Sequence, residues 1–234
     1  MKKTLRMLTG LALLLSLSAP ADAQLGITAR YQFPDAGNWV LLTDPGDRNR
    51  TKLLGNGYSI GLDYWFRMKN TRIEFLPEVN FSHFLFIEAN EARLDAAWLG
   101  FYFNTNFYLF DMKGDCDCPT FSKTGSAAKK GFFVQVSPGI SWLNHRIELP
   151  GNETLRSSSA AFSIGLGLGF DIGVSDLITF TPMGSLRYFP TAEWDDLRRV
   201  AESEADEFRV PDEQTDILLW QVGARLGFRF GQNH

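Results

Sequence analysis

Cysteine and histidine are scarce in this chain, with two of the first and three of the second among 234 residues. Three scattered histidines form no constellation that fixes a catalytic triad, so no enzyme signature emerges. Positive charge is also short. The formal net charge is −4, and a mildly acidic chain has no general affinity for nucleic acid. Long hydrophobic runs are missing beyond the first two dozen residues. No later stretch reaches the roughly 18 apolar residues of a helical span, which excludes transmembrane helices but not a barrel, whose strands are only half apolar.

The N-terminus has its own pattern. Met1-Lys2-Lys3-Thr4-Leu5-Arg6 is basic, Met7 to Leu17 is apolar, and Ala21-Asp22-Ala23 is a small-x-small site. This order is that of a cleavable secretory signal peptide over residues 1–23, with Gln24 as the expected mature N-terminus. The apolar piece is too short to span a bilayer. No cysteine follows the cleavage site, so a lipid anchor is not suggested. Residues 24–234 then form one domain of 211 residues, and loss of the leader's three basic residues and Asp22 moves the formal charge from −4 to −6.

What the mature chain does have is alternation. Residues 161–172 place Phe162, Ile164, Leu166, Leu168, Phe170 and Ile172 on one face of a strand and Ala161, Ser163, Gly165, Gly167, Gly169 and Asp171 on the other. A wall that is apolar outside and small or polar inside fits a strand of a transmembrane barrel. Seven further segments repeat the pattern, at 25–33, 58–66, 72–83, 98–109, 132–142, 178–189 and 220–230. The expected fold is therefore all-β, a closed antiparallel up-and-down transmembrane β-barrel of eight strands, or ten if a long loop hides a hairpin.

Loop lengths alternate too. Tight gaps at 68–70 and 174–176 read as periplasmic turns, and long gaps at about 35–55, 84–96, 143–159 and 190–215 read as extracellular loops. This predicts an outer-membrane location with both termini periplasmic. Pro77, Pro138 and Pro182 fall on the outward face of rising strands, where they suggest a shared bulge.

Phe75-Leu76-Pro77-Glu78, Gln135-Val136-Ser137-Pro138-Gly139-Ile140 and Gly165-Leu166-Gly167-Leu168-Gly169-Phe170 resemble the small outer-membrane β-barrel family of Bacteroidota, the PorT-like group of OmpA-like size. The resemblance covers nearly all the mature chain and its motifs specify wall. It implies an outer-membrane barrel of about this size, in a family whose named members are linked to secretion and gliding.

The inward positions carry both signs of charge: Asp63, Glu74, Glu78 and Asp171 with Arg30, Arg72, Arg187, Arg225 and Arg229. An eight-stranded barrel has an interior just wide enough for side chains to fill. Arginines and carboxylates there are expected to pair as buried bridges, because an unpaired buried charge is expensive. A plugged polar lumen is the expectation; a narrow channel for ions or small solutes, lined by the same charges, is the alternative.

Residues 110–131 break the rule of short periplasmic turns and hold both cysteines in Asp115-Cys116-Asp117-Cys118. In an oxidising compartment Cys116 and Cys118 can close a small strained disulfide. Two thiolates are half of a tetrahedral zinc set, with Asp115, Asp117 or His234 to complete it, but no metal and no cofactor is expected. A docking loop for a periplasmic or secretion-machinery protein, presenting Phe121, Lys129 and Lys130, is the third reading.

The last loop, from Thr191 to Asp216, holds ten acidic residues against Arg198, Arg199 and Arg209. Trp194, Leu197, Ala201 and Phe208 approximate helical spacing, which predicts a short amphipathic helix across the mouth. Arg48, Arg50 and Lys52 of the first loop are expected to meet it. His145 with Ser157, Ser158 and Ser159 is the only combination near a rim-located lipid-modifying site, and it fixes no triad. The expected protein is a non-enzymatic monomer in outer-membrane lipid, acting as a structural or interaction protein through its loops.

Overall fold

The computed structural model describes residues 23–42, 50–67, 71–89, 92–110, 131–149, 151, 153–175, 177–202 and 210–230. Eight long strands carry the fold: β1 (Ala23–Ala36), β4 (Gly57–Arg67), β5 (Ile73–Ala89), β6 (Ala92–Phe107), β7 (Phe132–Glu148), β8 (Thr154–Phe170), β10 (Ile178–Glu193) and β11 (Gln214–Phe230). Each pairs antiparallel with its neighbour in chain order, and β11 pairs with both β10 and β1, which closes the ring. A closed ring leaves no sheet edge, the condition for strands to cross lipid. Small pieces complete it: β2 (Val40–Leu42) with β3 (Arg50–Lys52) in the first loop, β9 (Ile172–Gly173), and a helix α1 (Arg199–Glu202) in the last.

The expected alternation sets the wall. Leu62, Leu166 and Val222 are 63 %, 57 % and 55 % exposed, an apolar surface that only lipid can cover. Glycines and polar residues between them face inward and are buried. Tyr31, Tyr58, Trp142, Tyr188 and Trp220 stand outward where the band stops at the loop end, as an aromatic girdle does.

Beyond that girdle the chemistry of the two faces inverts. Strand β6 turns Arg93 and Asp95 outward and Leu94 and Trp98 inward; β7 turns Asn144 and Arg146 outward and Leu143 and Ile147 inward. The strands thus run past the ends expected from sequence, β6 starting at Ala92 rather than 98, β7 ending at Glu148 rather than 142, and β8 starting at Thr154 rather than 161. The connections at 84–96, 143–159 and 190–215 are correspondingly shorter than the sequence suggests.

The three prolines do not make bulges. Pro77 faces Phe103, Pro138 faces Ile164 and Pro182 faces Ala224, each in unbroken register. On the other side the missing N–H leaves a gap: the β4–β5 ladder skips Leu76 and Pro77, and the β6–β7 ladder skips Ser137 and Pro138, then both resume in the same register. The register shifts lie elsewhere, between Phe84 and Ile87 and between Phe189 and Ala192, near the loop end.

Candidate functional site

The lumen holds the charged residues, and it is layered. At mid-height two bidentate ion pairs bridge strands. Arg30 donates from Nη1 and Nη2 to the two oxygens of Glu78 at 2.6 and 2.8 Å. Arg225 donates from Nε and Nη2 to Asp63 at 2.8 and 2.6 Å. All four residues are buried. Asn80 and Asn104 donate to the remaining lone pairs of Glu78 at 3.0 and 2.7 Å, so its charge is satisfied as burial requires.

Arg187 departs from the expected pairing. It is buried, yet among the described residues no carboxylate lies within salt-bridge distance. Its guanidinium instead donates to Ser137 Oγ at 2.6 Å and Ser163 Oγ at 2.9 Å, and lies 3.6 Å from the centre of the Tyr102 ring. The wall supplies hydroxyls and a π face because β7 and β8 carry serine and glycine there. Gly165 matters for this: a Cβ on it would sit 3.1 Å from Arg187 Nη2.

A third cluster lies toward the end where β1 begins and β11 finishes. Glu74 accepts from Trp65 Nε1 and from the Tyr108 hydroxyl, both at 2.7 Å. The same hydroxyl is 2.5 Å from Asp171, which also accepts from Thr181. One phenolic proton serves one of these carboxyls at a time. Arg72 stacks over the Tyr108 ring at 4.2 Å. Between this cluster and the mid-lumen pairs a polar cavity of about 20 Å³ remains, room for a water rather than a conduit.

The structure therefore brings Arg30 to Glu78, Arg225 to Asp63, and Glu74 to Asp171 through Tyr108. Arg229 lies on β11 opposite Gln24, and its side chain is outside the described residues. Trp65, Tyr102, Asn104, Tyr108, Ser137 and Thr181 complete the network without having been assigned a role in it from sequence. Their signal was their inward phase in the same alternation.

The loop end of the lumen is apolar, which the expectation of a polar interior did not include. Trp39, Leu53, Phe84, Trp98, Leu143, Phe189, Trp194, Leu197 and Ile217 are each no more than 1 % exposed and form one cluster. Trp39 and Trp194 meet edge-to-face at 5.3 Å. The first and last loops do touch, among the described residues through an indole, an amide and a hydroxyl rather than through Arg50 or Lys52. Trp39 Nε1 donates to the Glu213 carbonyl at 2.9 Å and the Asn38 amide donates to Thr215 Oγ1 at 3.1 Å, while Lys52 pairs with Asp35 on the exposed surface. Helix α1 starts at Arg199, so Trp194 and Leu197 precede it instead of lying on it, and Leu197 and Val200 sit in the cluster.

His145 belongs to this packing. Its ring stacks on Trp194 at 4.2 Å, and its Nε2 accepts from Trp98 Nε1 at 3.1 Å. Ser157 stands opposite His145, but Ser157 Oγ and His145 Nδ1 are each without a hydrogen-bond partner among the described residues, and Ser159 donates to the Glu193 carbonyl. Residues 1–22 of the expected leader, Arg48, Asp115, Cys116, Asp117, Cys118, Phe121, Lys129, Lys130, Phe208 and His234 lie outside the described residues, while Ala23 already pairs in β1.

A closed eight-stranded barrel with an outward apolar band and a charged lumen defines a transmembrane β-barrel of the outer-membrane class. No protein-family model matches the sequence, and no curated protein matches it. Among solved structures, the chain is similar to Neisserial surface protein A (10 % identity, TM-score 0.47, covering 89 % of this chain and 97 % of that one). It is also similar to the attachment invasion locus protein Ail of Yersinia pestis (12 %, 0.47, 90 % and 100 %) and to a major outer membrane protein of Thermus thermophilus (11 %, 0.47, 88 % and 99 %).

Proposed function

We propose that this barrel is a closed structural or interaction protein of the outer membrane, with its termini in the periplasm and its loops outside. The observation that carries the reading is the double filling of the lumen: ion pairs at mid-height and a tryptophan-rich cluster of loop and strand residues at the mouth. Such a barrel acts through the surfaces it presents rather than through what it passes. The chemistry is non-catalytic on this reading, which the engagement of His145 Nε2 by Trp98 supports. The finer assignment, to the PorT-like group of Bacteroidota, rests on the wall motifs alone.

Swelling of liposomes containing the purified chain tests closure. The expected result is no faster entry of small sugars than in protein-free liposomes. Entry that scales with protein content contradicts it and favours the channel reading. A periplasmic or secretion-machinery partner at residues 110–131 is proposed from the sequence. Crosslinking from Cys118 in intact cells tests it: recovery of one defined envelope protein supports a docking loop, and repeated recovery of none removes it.

A further inference from the structure

Above the girdle the outer wall carries a dent of about 330 Å³, to which Asp95 and Ala97 of β6, Asn144 and Arg146 of β7, and Arg156 and Ser158 of β8 contribute. Arg146 and Arg156 stand directly opposite each other in the ladder. Like charges in that position repel. Arg146 is held by Glu148 at 2.6 Å and faces Asp95 across the β6–β7 ladder, and Asp95 lies 3.3 Å from His83 Nε2. Arg156 differs: among the described residues no carboxylate lies within 4 Å of its guanidinium. One cation of the facing pair is therefore left unneutralised beside an amide and a hydroxyl.

Height on the wall identifies what meets it. Trp142 and Ala160 face each other at the top of the apolar band, and the arginines lie four residues farther along both strands. With the usual rise and a strand tilt near 40°, that is about 10 Å along the membrane normal. The lining side chains project sideways from the wall, so the neighbour is the head-group layer and not the solution above the mouth. The phosphate of a simple glycerophospholipid lies lower, within the roughly 5–8 Å interfacial layer, whereas a phosphate on a sugar head group reaches the arginines.

We propose that Arg146 and Arg156 form a binding site for a phosphate monoester on the sugar head group of an outer-leaflet glycolipid. The guanidinium forks bind phosphate oxygens bidentately, with Ser158 and Asn144 as further donors. The bound anion removes the repulsion between the arginines. The site rests on the proposed orientation, in which the loop end faces outward.

Native mass spectrometry of the detergent-solubilised full chain tests it with bisphosphorylated lipid A, its dephosphorylated counterpart and inorganic phosphate. The expected result is about tenfold preference for the phosphorylated lipid, reduced several-fold by Arg156→Gln and lost in the Arg146→Gln/Arg156→Gln double variant. A heat-modifiable band on gels verifies that each variant is a folded barrel. A folded double variant that retains lipid A like the unsubstituted chain overturns the site, as does equal retention of both lipids. Inorganic phosphate that displaces the lipid at equal concentration overturns the lipid source. Orientation is read separately, by labelling Thr154→Cys, in a chain with Cys116 and Cys118 replaced by serine, with an impermeant reagent on intact cells. Labelling together with indifference to phosphate removes the site alone; failure to label removes the orientation and the site with it.

Discussion

Arg225 and Asp63, 162 residues apart in the chain, form a buried bidentate ion pair that spans β1 and ties β11 to β4. It passes over Gly26 of β1, where an added Cβ would fall on Arg225 Nε and on Asp63 Oδ2, far inside van der Waals contact. The ion pair and the glycine are one device, since the bridge fits only because the strand between has no side chain.

Gly26→Ala is accordingly expected to destabilise the barrel by about 1–3 kcal/mol, the usual cost of overpacking. Gly184→Ala is the matched control, because its nearest neighbour would lie at 3.8 Å, and it is expected to be neutral. Urea unfolding in detergent micelles, followed by the heat-modifiable gel shift, measures both.

Glu78 accepts four hydrogen bonds, two of them from Arg30. Arg30→Met leaves that carboxylate buried without its counter-charge and is expected to cost about 3–5 kcal/mol. Pairing it with Glu78→Leu is expected to recover most of the loss. A double-mutant cycle on unfolding free energy reads the difference, and additive losses contradict the ion-pair assignment.

Tyr102 supports Arg187 with its ring and Ser141 with its hydroxyl, the latter at 3.1 Å. Tyr102→Phe keeps the ring and is expected to cost about 1 kcal/mol for the lost hydrogen bond. Tyr102→Leu removes the π face as well and is expected to cost at least about 1 kcal/mol more. Equal losses for the two variants would show that the ring does not hold the guanidinium.

Trp39 is fully buried against Trp194 and His145, and its indole holds the last loop through Glu213. Trp39→Ala is expected to cost about 3–5 kcal/mol by opening a cavity and to loosen the mouth before the wall. Limited proteolysis is then expected to cut the last loop while the strands stay protected.

The wall was legible in the sequence wherever one rule held. Phe162 to Leu168 outward with Ser163 to Gly169 inward reads directly as a lipid-facing strand, and the inward phase delivered Arg30, Asp63, Glu78 and Arg225 to one lumen. The rule failed where the solvent changed. Past Trp142 and Ala160 polar surroundings replace the hydrocarbon of the bilayer, so Arg146 turns outward and Leu143 and Ile147 inward, as in a soluble sheet. Apolar-out alternation stops there, and that leaves Phe84, Leu94 and Leu143 in stretches that read as loops. Partner choice inside the lumen was illegible for another reason: the phase of Arg187 places it inside, but only register shows that its neighbours are Ser137 and Ser163.

Closure of the lumen is tested most directly by single-protein current recording in planar bilayers, comparing the unsubstituted chain with Trp39→Ala. The filled lumen predicts no resolved open state for the first, and for the second at most brief, voltage-dependent openings as the mouth loosens. A stable, voltage-insensitive nanosiemens conductance from the unsubstituted chain would contradict it.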